Sequence, residues 1–254
     1  MNRAAKYGDG FFETILIYHG KVPFVEFHLD RIFKTAQFLA LQIPPHFDKF
    51  YFDRLVNEKC DPKGIFRLRI QFSRAGEGFY FPESNQVSIE KDIIPITEPF
   101  SLINRFNHPV HFFKSIKSSS APYWNFKTCN SLPYILPAIE AQKSNVPDLL
   151  LLNNENQPIE WIYSNLFLYK DHELTTTPLG SGCLDGVMRR ALIEWCNASN
   201  FKVFEKSISI EDVRNARVIL KTNAITGMCI SGDESIEPKL LKLLTKFQAH
   251  YLNL

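Results

Sequence analysis

Apolar and polar residues alternate strictly from Phe66 to Phe72, which predicts a strand within GIFRLRIQFSR. Upstream, the GDG of YGDGFFETI is a turn signal that opens into alternating residues. ETILIYHGKVPFV then reads as two strands joined at His19-Gly20-Lys21. In FHLDRIFKTAQFLALQI and HFDKFYFDRLVNEK the apolar residues recur near helical spacing, so both predict helices. The loop AGEGFYFPES follows the alternating strand, and NQVSIEKDII is its expected partner. PITEPFSLINRFNHP carries three prolines and is expected to connect two domains. The expected division is a smaller α+β domain over 1–99, a connection over 100–108, and a larger domain over 109–254.

Past the connection, VHFFKSI begins the second region and NSLPYILPAIEAQKSN predicts a helix that Pro133 and Pro137 would kink. DLLLLN reads as a short buried strand, and IEWIYSNLFLYK as one further strand. VMRRALIEWCNASN is a helix opened by a glycine, KVFEKSIS and ARVILKTNA are strands, and a closing helix starts near Pro238. Strands and helices mix without a strict βαβ rhythm, so an α+β chain in two lobes is expected.

Composition narrows the classes of function. With 254 residues, 45% hydrophobic and 22% charged, the chain can bury a substantial core. A net charge of +2 with no basic block gives no support for nucleic-acid binding. No apolar run approaches the roughly 20 residues that span a bilayer, and the N-terminus has no signal-peptide pattern. The five cysteines are scattered and odd in number, so neither a disulfide framework nor a metal site is expected, and a reducing cytoplasm fits.

Four features carry candidate chemistry. Lys127, in NFKTCNSLPY, has apolar or neutral neighbours; a desolvated amine is a usable nucleophile and suits Schiff-base chemistry. An ordinary surface lysine is the plain alternative. Glu160 opens an apolar strand and needs a partner, either a protonated ring nitrogen of a cofactor or an arginine of the same core. In LDGVMRR a glycine precedes a helix, whose first backbone N–H groups suit an anion, although Asp185 would repel one unless turned away. Arg31, on the first predicted helix, could hold a phosphate bidentately if turned inward.

Taken in order, YGDGFFET, EFHLDRI, FKTCNSLPYILPAIEA, DLLLLNNENQPIEWIYSNLF and TTTPLGSGCLDGVMR resemble the class IV aminotransferase family, pyridoxal-phosphate enzymes of fold type IV. That family includes branched-chain aminotransferases, D-amino-acid aminotransferases and 4-amino-4-deoxychorismate lyases. The resemblance runs from Tyr7 to about Gly227. It implies a D-amino-acid aminotransferase-like fold of two lobes, the N-terminal lobe shortened at its start. It implies pyridoxal 5'-phosphate as cofactor, with Lys127 forming the Schiff base and shuttling the proton, and Glu160 keeping the pyridine nitrogen protonated. Arg31 and the backbone N–H groups of Val187 and Met188 would cup the phosphate. Thr222, Asn223 and Ala224 would complete the cup, with Ala224 and Ile225 toward the substrate. Ser164 and Asn165 would pack the strand behind the ring.

The resemblance also implies that the GDG turn directs Phe12 into the substrate pocket. Tyr80 would reach the active site of a second subunit, so a homodimer is implied. Phe12, Tyr80, Trp161 and Trp124 would make the pocket bulky and suited to an apolar or ring-bearing amino-acid-like substrate. Arg67, Arg69 and Arg74 are equal candidates for a second substrate carboxylate. Trp161 and Tyr163 are bulky where small residues are usual near the acid, and Met188 and Ala224 replace threonines of the family's transaminases. The lyases resemble this chain more closely at GVMR and TNA. Pyruvate elimination from aminodeoxychorismate is therefore slightly favoured, with transamination the alternative and a non-catalytic cofactor-binding homologue the minor one.

Overall fold

Gly8, with φ of 69°, ends the short helix α1 (Arg3–Tyr7) and directs the chain into the first strand. The computed structural model describes residues 2–97, 103–117, 121–232 and 236–252. The chain divides into two compact units: Met1–Phe100 with Phe126–Asn130, and Ser101–Asn125 with Ser131–Leu254.

In the first unit, α1 is followed by β1 (Gly10–Tyr18), α2 (Val25–Phe38), α3 (Lys49–Lys59), β2 (Ile65–Arg74) and β3 (Val87–Pro95). The three strands form an antiparallel sheet in the order β1-β2-β3. Its register, Gly10 opposite Ser73 through Tyr18 opposite Ile65, sends Ile15, Ile17, Leu68, Ile70 and Phe72 into a core with Ile32, Phe47 and Phe52 of the helical layer. The second strand expected after His19 does not form. Tyr18 and Lys21 make a single bridge, Pro23 has no N–H for a ladder, and Phe24 at φ 61° leads directly into α2. Residues 126–130 join this unit late in the sequence. The Phe12 N–H donates to the Lys127 carbonyl, the Cys129 N–H donates to the Gly10 carbonyl, and Phe126 stacks on Phe38 with centroids 4.3 Å apart.

The second unit contains β4 (Ile103–Phe106), β5 (Phe112–Lys114), α4 (Leu132–Lys143), β6 (Leu150–Leu152), β7 (Pro158–Trp161), β8 (Asn165–Lys170), β9 (Glu173–Thr176), α5 (Val187–Ala198), β10 (Val203–Glu205), α6 (Ile210–Arg214), β11 (Val218–Asn223), β12 (Gly227–Ser231) and α7 (Pro238–Leu252). Its sheet runs β4-β12-β11-β8-β7-β6-β5, with β9 and β10 branching from β8. Two expectations change here. Ile103–Phe106 lies within the stretch read as a connection, yet it pairs in parallel with β12. IEWIYSNLFLYK is not one strand but the hairpin β7–β8, closed by the Trp161 N–H donating to the Ser164 carbonyl at 2.8 Å.

Candidate active site

The hairpin decides what faces what. Directly opposed residues of neighbouring strands share a sheet face. Glu160 of β7 is opposite Asn165 of β8, and Asn165 is opposite Thr222 of β11, so the three form one row on one face. The segment Leu184–Gly186 is fastened to that row. The Leu184 N–H donates to Glu160 Oε2 at 2.9 Å, and Asn165 Nδ2 donates to the Leu184 carbonyl at 2.8 Å. Helix α5 starts immediately afterwards with Gly186 as its N-cap. A Cβ built on Gly186 would stand 1.8 Å from Asn165 Oδ1, so only glycine lets this turn lie so close to the strand. The first-turn amides of α5, those of Val187 and Met188 among them, have no carbonyl one turn back to receive them. Both side chains are buried. The Thr222 hydroxyl is buried and has no hydrogen-bond partner among the described residues. Asp185 is turned to Arg190, with Oδ1 3.4 Å from its Nε, which balances the charge that would oppose an anion here.

Glu160 is buried at 2% exposure and carries a partner that the sequence reading did not single out. Lys117, 0% exposed, forms an ion pair with Glu160 Oε1 and donates to the Tyr134 hydroxyl at 2.7 Å. It lies in the polar run KSIKSSS, where no periodicity marks it; only its place just after β5, beside β6 and β7, buries it.

In the first unit, Lys127 is half-buried, with its Nζ 4.6 Å from the centre of the Phe12 ring. Arg69 lies over the same ring at 3.7 Å. Burial pushes the Arg69 guanidinium below its ordinary range. Burial pushes the nearby Cys129 thiol up to about 11, which favours its protonated form. Arg74 is committed to Asp9, Asn85 and the Leu39 carbonyl. Arg31 is buried, with Nε donating to Glu13 Oε2 at 3.0 Å and a terminal nitrogen bonded to Oε1. His28 Nδ1 completes the cluster, 2.8 Å from Glu13. Burial would raise the Glu13 pKa, but Arg31 and His28 outweigh it and hold the carboxyl at about 2.

Other expected residues take different places. Trp161 follows Glu160 on the strand and therefore points to the opposite face. It is fully buried in a core with Leu150, Leu166 and Ile219 and lies under Lys221 at 3.9 Å, so it lines no pocket beside Glu160. Tyr163 is exposed at the hairpin turn. The Asn223 side chain ties loops together: Nδ2 donates to the Tyr163 carbonyl, and Oδ1 accepts the Ile225 N–H at 2.7 Å. Ala224 and Ile225 are half-buried in the turn between β11 and β12, and Trp124 is half-buried against Tyr123. Phe79, Tyr80 and Phe81 are exposed at 82%, 87% and 92%, although Arg3 holds the carbonyls of Glu77, Gly78 and Phe79 beneath them.

A buried carboxylate that accepts hydrogen bonds thus stands in one row with an amide and with a hydroxyl that has no partner among the described residues, beside a helix N-terminus. The family model for class IV amino-transferases matches residues 10–230. The chain belongs to the class IV aminotransferase family. The members of this family are pyridoxal-phosphate-dependent enzymes. An aminodeoxychorismate lyase of Vibrio harveyi is 25% identical, over 94% of this chain and 88% of its own length. A D-alanine aminotransferase of Listeria innocua is also 25% identical, over 85% and 74%. Among solved structures, branched-chain aminotransferase from Escherichia coli superimposes with a TM-score of 0.81 at 19% identity, covering 99% of this chain and 88% of that one. For 4-amino-4-deoxychorismate lyase from Pseudomonas aeruginosa the TM-score is 0.76 at 21% identity, covering 100% and 94%. These likenesses establish the fold type IV architecture. Among the described residues, no helix is long and apolar enough to cross a membrane, and no group of three or more side chains is suited to hold a metal.

Proposed function

We propose that the chain uses pyridoxal 5'-phosphate to act on the amino group of an amino-acid-like substrate, as a lyase that eliminates pyruvate from 4-amino-4-deoxychorismate. The observation that carries the cofactor reading is the row Glu160–Asn165–Thr222 beneath the α5 N-terminus, with the Thr222 hydroxyl lacking a partner among the described residues. When bound, the cofactor supplies an electron sink for bond cleavage beside the substrate amine. Lys127 supplies the amine that holds it and carries the proton. Glu160 accepts a hydrogen bond from the ring nitrogen. The Val187 and Met188 amides and the Thr222 hydroxyl would donate to the phosphate, with Arg31, whose charge Glu13 already balances, as a further donor. Asn165 keeps the Leu184–Gly186 turn against the acid. Asn223 acts indirectly, by holding the β11–β12 turn that presents Ala224 and Ile225.

The lyase assignment is supported by Met188 and Ala224, which remove two hydroxyls that transaminases of the family use. A second copy of the chain is the proposed partner, with the exposed Phe79-Tyr80-Phe81 as its contact. The test is incubation with pyridoxal phosphate and aminodeoxychorismate. Equal yields of 4-aminobenzoate and pyruvate are expected. Absence of both products, with amino transfer to a keto acid instead, replaces the lyase reading by the transaminase one. Borohydride trapping should attach the cofactor to Lys127, and Lys127→Ala should abolish trapping and turnover while the protein stays folded. Trapping at another lysine refutes the assignment.

A further inference from the structure

The pair formed by Lys117 and Glu160 has a stoichiometry that matters. A carboxylate offers about four acceptor positions, two on each oxygen. Oε1 is taken twice, by Lys117 Nζ and by the Tyr134 hydroxyl at 3.2 Å. Oε2 accepts the Leu184 N–H at 2.9 Å and, among the described residues, retains one position. The lysine does not swing freely. Its N–H donates to Ser115 Oγ at 3.2 Å, its carbonyl accepts the Asn154 N–H at 3.1 Å, and its ammonium lies 4.5 Å from the centre of the Tyr134 ring. Stability is a weak account of such a pair, because replacing a buried ion pair by apolar groups is often neutral or favourable.

We propose that Lys117 is a resident competitor for Glu160 and thereby a positioning residue that limits how strongly this acid holds a cationic ring nitrogen. The inference rests on the reading of Glu160 as the ring-nitrogen partner. A ring nitrogen arriving at Glu160 meets a carboxylate already neutralised. It either shares the anion through the open position on Oε2 or displaces the ammonium from Oε1, and in both cases the attraction gained is reduced by the one already present. Lys117 therefore sets the contribution of the ring nitrogen to cofactor affinity, and through it the degree to which the ring is held in its cationic form.

The experiment compares two probes on the cofactor-free protein: pyridoxal phosphate, and its carbocyclic analogue with C–H in place of the ring nitrogen. An uncontested charge-assisted hydrogen bond would favour the natural cofactor by roughly ten- to a hundredfold. For the unaltered protein we expect a preference below about tenfold; a larger preference overturns the proposal. Lys117→Met should tighten binding of pyridoxal phosphate by about tenfold or more and leave the analogue nearly unchanged. Equal preference in the variant and the unaltered protein overturns the proposal. The measurement on the unaltered protein stands even if the variant does not fold. Borohydride trapping on Lys127 is scored separately: trapping without the expected preference rejects the competitor role alone, and absence of trapping rejects the cofactor reading with it.

Discussion

Gly186→Ala tests the close approach of the α5 N-terminus to the strand row. At φ −70° and ψ 136° the backbone of residue 186 is one any residue adopts, so alanine adds no torsional penalty. The penalty is steric. The new Cβ would stand 1.8 Å from Asn165 Oδ1 and 3.0 Å from its Cγ, well inside any real contact. Asn165 is short and buried, so it yields only by rotating away from the Leu184 carbonyl, which it now meets at 2.8 Å. That rotation leaves the buried Asn165 amide unpaired and takes one of two hydrogen bonds from the Leu184 carbonyl, which still accepts the Gly186 N–H at 2.9 Å; the loss is about 1–3 kcal/mol. For a chain of this size the melting temperature should fall by about 2–12 °C, read by calorimetry or circular dichroism. Asn165→Ala removes the obstructing oxygen, so Gly186→Ala should be milder in that background by about 0.5 kcal/mol or more. Additive losses in the double variant would refute the steric argument, and an unchanged melting temperature for Gly186→Ala alone would refute it more simply.

Glu13→Gln strands the buried Arg31 and should destabilise the protein by about 3–5 kcal/mol. Because Glu13 titrates at about 2 rather than at 4.5, its contribution is complete above pH 4.5 and is lost as pH falls toward 2; the variant should show a shallower acid limb of stability against pH, and an identical limb would contradict the assignment. Arg3→Ala removes the donor to three carbonyls at 2.8–3.0 Å, so chymotrypsin should cut at Phe79–Phe81 about tenfold faster, and an unaltered cleavage rate would count against that anchor. Trp161→Ala should cost about 3–5 kcal/mol of stability yet leave the ratio of activities toward different substrates unchanged, since the indole is core; a changed ratio would return Trp161 to the pocket.

Much of the architecture is written in local pattern. Strand β2 is legible from the alternation of Phe66 to Phe72, and the start of α5 from a glycine followed by an apolar-periodic run. The failures share a cause. IEWIYSNLFLYK is apolar on both sides of its turn because both strands are covered on both faces, so alternation gives no sign of the reversal. Trp161 adjoins Glu160 in sequence but not in space, because consecutive strand residues face opposite ways. Lys117 and Glu160 are 43 positions apart, and nothing local to KSIKSSS announces that its second lysine will be enclosed. Arg31 shows the converse: its inward turn was a condition at the level of sequence, and the structure supplies Glu13 and His28 as the groups that meet it there.

The five residues Phe126–Asn130 belong by their contacts to the first unit, though second-unit sequence flanks them on both sides. On a ribosome, chains fold from the N-terminus as they emerge. The first hundred residues are therefore exposed well before the segment that caps the beginning of β1, and that sheet waits for Lys127 and its neighbours to complete its edge. The proposed catalytic amine is among the last pieces delivered to the first unit, so a truncated chain ending before residue 126 would carry Phe12 and Arg31 but no group with which to begin the chemistry.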